Sequence, residues 1–150
     1  MANTQAVCNS FKSEVMRAYH ALGTTFARGG TAADTFNAAL YLSSATVNAA
    51  TTAYSATGEV TGTGYVAGGI AVTNANPPST QSGVGTWTPS ASLVYTTVSI
   101  GPTDCVLIYN ATQGNRAVEV LTFSAQTPVA ATLTLTMPAG GSSTSLLMLT

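Results

Sequence analysis

The residues able to do chemistry are few enough to take one at a time. General acid–base and nucleophilic catalysis need a titrating side chain with an orienting neighbour, and the 150-residue chain offers one histidine, His20. It stands in FKSEVMRAYHALG among residues that read as packing, so it is expected to be structural, partly exposed and helped by a helix C-terminal dipole. The carboxylates Glu14, Asp34, Glu59, Asp104 and Glu119 are scattered, and none stands where it would couple with another as acid and base. Glu119, mid-strand between Val118 and Val120, is expected to face water. No D-x-D-x-D cluster offers a calcium loop. Cys8 and Cys105 are too far apart for a zinc knuckle or a disulfide scaffold and read as reduced, packed thiols. The run TGTGYVAGG lacks the Lys-Ser/Thr of a phosphate loop, and Asn110-Ala111-Thr112, which matches the glycosylation triplet, reads more simply as a turn. The expectation is no catalytic residue, no cofactor site and no metal site.

Glu59 stands apart, because no other charge lies between Asp34 and Asp104. Embedded in AYSATGEVTGTGY, its carboxylate is expected to accept backbone N–H bonds from the glycine-rich turn that follows and so hold that loop in shape. A contact with a partner is the alternative.

The elements that must position these residues follow from hydrophobic period. Ser10 is placed to cap a helix of about 12 residues, over positions 10–22, with Glu14 in its first turn and Gly23 as its stop. Phe11, Val15, Tyr19 and Leu22, at spacings of three and four, form its packing face. From Thr35 onward the period is two. Phe36 to Leu42 alternates, Ile70 to Thr73 is a short strand, and Leu93 to Ile100 sets Val94, Thr96, Val98 and Ile100 on one side. Cys105 to Tyr109 is apolar on both faces and reads as a central strand. NATQGN is hairpin chemistry returning into Ala117 to Phe123. Thr132 to Met137 turns Leu133, Leu135 and Met137 inward, and Leu146 to Leu149 closes the chain. The pattern predicts a mainly β single domain over 1–150, with the N-terminal helix followed from about residue 35 by an antiparallel β-sandwich or barrel of about seven or eight short strands.

Composition bounds the partners. Charged residues are 6% of the chain, against about 25% in an ordinary domain. The surface must be covered by the 26 Thr, 24 Ala, 14 Ser and 14 Gly instead. Thr favours half-buried pleated surfaces. A net charge of −1 removes the electrostatic case for nucleic acid. No apolar run is long enough to span a membrane, and Met1 to Val7 shows no secretory signal.

Several stretches carry a resemblance. CNSFKSE, ALY, AYSATGEVTGTGYVAGG and LIYNAT run in order over roughly residues 8–137, and together they resemble a family of small virion structural proteins of tailed bacteriophages. The resemblance implies assembly into a particle made in the bacterial host cytoplasm, with no cofactor and no catalytic residues to carry over. Its first reading is a capsid decoration or cement protein, partnered by copies of itself and by other virion proteins, the major capsid protein foremost. A neck, tail or fibre component is the second reading. A carbohydrate-binding β-sandwich module, resting on Trp87, is a third from another class.

Overall fold

The computed structural model describes residues 3–16, 18–22, 33–73, 76–141 and 143–149. The chain is mainly β, with eleven strands and one helix among the described residues. All strand pairs are antiparallel, in sheets that stack as in a β-sandwich. The five-stranded sheet holds β1 (Ala6–Val7), β9 (Arg116–Gln126), β8 (Thr103–Asn110), β2 (Phe36–Leu42) and β4 (Ile70–Ala71), in that order. A second sheet runs β10 (Ala131–Leu135), β7 (Leu93–Ile100), β3 (Gly62–Thr63), and a third runs β11 (Leu147–Leu149), β6 (Val84–Trp87), β5 (Ser79–Gln81). The strand count exceeds the sequence expectation partly because β1 and β3 are two-residue pieces, too short to show a period, while β4 is the first half of the strand expected over Ile70 to Thr73.

β8 lies between β2 and β9, and Cys105 to Asn110 are all buried along it, which explains its doubly apolar sequence. The turn from β8 to β9 is closed by Gly114 (φ 68°) and Asn115 (φ 58°), two residue types that tolerate the left-handed region. Phe36 of β2 meets Trp87 of β6 with ring centroids 5.8 Å apart, and Tyr95 of β7 donates its hydroxyl to the Ala38 carbonyl of β2 at 2.8 Å. These contacts join the three sheets around one core.

Two expectations of facing and extent are corrected. In β7, Leu93 and Tyr95 are buried with Val98 and Ile100, while Val94 and Thr96 are exposed. Thr97, at φ 51°, is an extra residue opposite β10, where Val98 pairs Ala131 but Tyr95 pairs Leu133. Such a bulge shifts the alternation by one residue, so no single face runs through the strand. The helix, α1, spans Asn9–Met16 rather than 10–22. Ser10 lies inside it, and its buried hydroxyl has no hydrogen-bond partner, so it is no cap. The helix ends at Ala18 (φ 57°), where Ala18 N–H bonds Val15 C=O and Tyr19 N–H bonds Glu14 C=O, a left-handed C-terminal cap. Glu14 therefore sits in the last turn, not the first. Gly23, the expected stop, lies outside the described residues.

Candidate functional site

The helix's expected packing face divides at that cap. Phe11 is 1% exposed and enters the core, and Val15 packs against it. Tyr19 and Leu22 are off the helix. Leu22 still packs on the core, while Tyr19 takes the Arg116 guanidinium over its ring at 4.5 Å, a cation–π contact.

Breaking the helix early folds His20 back beneath it. The imidazole is fully buried rather than partly exposed, with its Nε2 2.9 Å from Glu14 Oε2 and its ring 4.8 Å from that of Phe11. Asn110 Nδ2 lies 3.1 Å from His20 Nδ1 and 2.7 Å from Asp34 Oδ2. Asn110 Oδ1 is committed as acceptor to Thr112 N–H and Gln113 N–H, so its nitrogen must donate to both neighbours. That fixes Nδ1 of His20 as an acceptor and Nε2–H as the donor to Glu14. Glu14 Oε1 accepts from Arg116, whose positive charge also answers an anion set at the unfavourable end of the helix dipole. Burial lowers the His20 pKa against the opposing pull of Glu14. Three stretches distant in sequence, residues 14–20, 34 and 110–116, are pinned here. The imidazole is sealed from solvent, and what the cluster does chemically is hold it neutral in one tautomer.

Around Glu59 the geometry is different in kind. Tyr54 and Tyr65 donate their hydroxyls to its two carboxylate oxygens at 2.6 and 2.7 Å, and Gly68 N–H donates at 2.7 Å. Glu59 is 6% exposed and forms a lone bridge with Tyr41 of β2. Tyr65 O also accepts the Leu40 N–H of β2 at 3.0 Å. Tyr109 donates to Gly68 C=O at 2.8 Å and stacks on Tyr54, centroids 4.7 Å apart. Tyr41 donates to Ser55 C=O at 2.6 Å, and burial pushes its phenol up to about 12. Burial and the facing carboxylate raise Tyr54 and Tyr65 further, so these phenols stay donors at any ordinary pH. Sequence reasoning found the carboxylate and the glycine-rich turn but not the tyrosines. Their signal was present in AYSATGEVTGTGY, which sets Tyr54 and Tyr65 at nearly equal distances either side of Glu59.

Glu119 is a correction. It is 5% exposed, not in water. Glu119, Leu121 and Phe123 share one face of β9, and the segment from Thr134 to Leu146 lies across it. A bulge at Val118, where Ile108 pairs Glu119 but Tyr109 pairs Ala117, also breaks the alternation that suggested an outward side chain. Its Oε2 is buried with no partner, and burial pushes the carboxyl up to about 8.

Trp87 is 3% exposed and donates its indole N–H to Asn76 C=O at 3.2 Å. Cys8 and Cys105 are free, buried thiols, each raised to about 12 by burial first. Among the described residues no group of three or more His, Cys, Asp or Glu side chains could hold a metal ion, and no helix is long and apolar enough to cross a membrane. No protein-family description, curated protein or solved structure matches the chain.

Proposed function

We propose that this chain is a virion structural protein of a tailed bacteriophage, a capsid decoration protein that binds the assembled head shell and neighbouring copies of itself, with no catalytic role. One observation carries the reading: among the described residues the chain turns most of its few charges inward. Glu14, Asp34, Glu59 and Glu119 are buried, Arg116 is engaged by Glu14, and Asp104 accepts from Asn3 at 2.6 Å. Lys12 is exposed, and the Arg116 side chain is 38% exposed. A surface of Thr, Ser, Ala and Gly with almost no charge lacks protection against association and suits burial against other subunits, whose interface cores are depleted in Lys, Glu and Asp.

The resemblance supports the same reading from another side. Its motif residues are framework positions here: Cys8 and Phe11, Ala39 to Tyr41, Glu59 with its tyrosine donors, and Leu107 to Asn110 are buried or fix buried loops. Residues of that kind preserve a scaffold. The carbohydrate-module reading loses its one feature, since a Trp87 ring packed on Phe36 offers no platform for a sugar.

Quantitative mass spectrometry of purified virions, before and after a wash in molar salt, tests the proposal. A copy number comparable with that of the major capsid protein, unchanged by the wash because few ion pairs exist to be screened, is the expected result. A few copies per particle would move the protein to the neck, tail or fibre. Its absence from the particle, or its release by moderate salt from an intact shell, would overturn the reading.

A further inference from the structure

The face of β9 that carries Glu119 forms one wall of a cleft of about 450 Å³, closed on the other side by Thr134 to Pro138 and Thr144 to Leu146. That volume falls in the range of small-molecule sites. Leu121, Phe123, Leu135 and Met137 give the cleft an apolar stretch, and Gln5, Thr122, Thr134, Thr136, Thr144 and Ser145 line much of the rest. Glu119 is the only charged side chain among the lining residues. Its Oε2 receives no hydrogen bond, although buried polar atoms are otherwise almost always paired. An unpaired carboxyl group beside aliphatic and aromatic side chains is half of a recognition pair. The missing half is a donor carried on an apolar stem.

We propose that this cleft binds a small aliphatic primary ammonium ion, its alkyl chain against Leu121, Phe123 and Met137 and its ammonium group donating to Glu119 Oε2. A divalent cation would need several oxygen ligands, and the cleft holds one carboxylate. A neutral alcohol fits the stem but forms the weaker, uncharged hydrogen bond. The inference is independent of where on a particle the protein sits.

The proton balance is specific. Burial keeps the free Glu119 carboxyl protonated near neutral pH, so the ammonium ion must displace that proton to solvent, giving an ammonium–carboxylate pair and one released proton. Of the titratable groups near this part of β9, Cys8 stays a neutral thiol, and Glu14 is already bound to Arg116 and His20. Neither supplies a competing proton.

Isothermal titration of the whole chain with n-pentylammonium chloride and with pentanol, in two buffers of different ionisation enthalpy, reads both features. The expected result is binding about tenfold or more tighter for the ammonium ion, with one proton released. Glu119→Gln should lose the preference and the proton release yet still bind pentanol, which also shows that the cleft is intact. A parallel titration with Nα-acetyl-lysine amide separates the sources of such an ion. Tight binding assigns the cleft to a partner's lysine side chain, and discrimination against it assigns the cleft to a free amine. Equal affinity for ammonium and alcohol, no proton release, an unchanged preference in Glu119→Gln, or no binding of either probe would each overturn the proposal.

Discussion

Glu59 and Glu119 are the same side chain buried to the same degree, 6% and 5% exposed, yet their surroundings are opposite. Glu59 receives two phenol hydroxyls and a backbone N–H. Glu119 Oε2 receives nothing, and its carboxyl is pushed up to about 8. Burial alone therefore does not decide whether a carboxyl group is satisfied; the donors aimed at it do. The Glu59 donors are local, drawn mainly from loops a few residues either side and locked by Tyr41 and Tyr109. The wall over Glu119 is a distant segment that contributes side chains without a donor to Oε2. One region is complete as folded, and the other is chemically open.

The largest effect should come from breaking the complete site. Glu59→Leu strands the Tyr54 and Tyr65 hydroxyls and the Gly68 N–H, and losing one side of such a buried charged network costs about 3–5 kcal/mol. Urea unfolding should show a much lower midpoint, and an unchanged midpoint would refute the assigned network. At the open site the sign reverses. Glu119→Gln removes the burden of a buried acid, and its effect depends on pH. The folded-state pKa of Glu119 lies above the free value, so its contribution is fully present below about 4.5 and is lost as pH rises through about 8. The variant should match the wild type in acid and exceed it by about 1–3 kcal/mol at alkaline pH, measured by thermal or urea unfolding across the range. The smallest effect concerns His20. Its pKa is lowered from 6.5 on folding, so its contribution is present above that value and is lost as pH falls below it. A loss of about 1 kcal/mol is expected as Nδ1–H comes to oppose the Asn110 donor. It should be measured in the Glu119→Gln background, where the opposite slope is absent, and His20→Gln should flatten it.

The sequence was informative where local chemistry decides. Alternation placed β2, β10 and the end of β9, the doubly apolar run placed β8, and the isolated charge in AYSATGEVTGTGY marked Glu59. It was silent where one residue changes phase. Thr97 is a bulge in β7, but Thr96-Thr97 reads as ordinary strand. Val118 plays the same part beside Glu119, and the cover over Glu119 arrives from residues 134–146, which no local pattern could reveal. The helix was read too long because Gly23 is a stronger stop signal than Ala18. The cap at Ala18 becomes favourable only once His20 can reach Glu14 and Asn110, a residue far along the chain.

The outer side of β2 has a consequence of its own. β4 pairs only Asn37 and Ala38. Beyond it the Leu40 N–H is taken by Tyr65, the Leu40 C=O by Val60 N–H, and the Leu42 N–H by Gly58 C=O. A strand with such a margin cannot recruit another by backbone pairing. Along this stretch of β2 the five-stranded sheet is therefore closed to a further strand, finished by one hydroxyl and by loop backbone groups. Backbone pairing with another chain is confined to the other margins, so a crowded solution of these molecules cannot seed a fibre from this stretch.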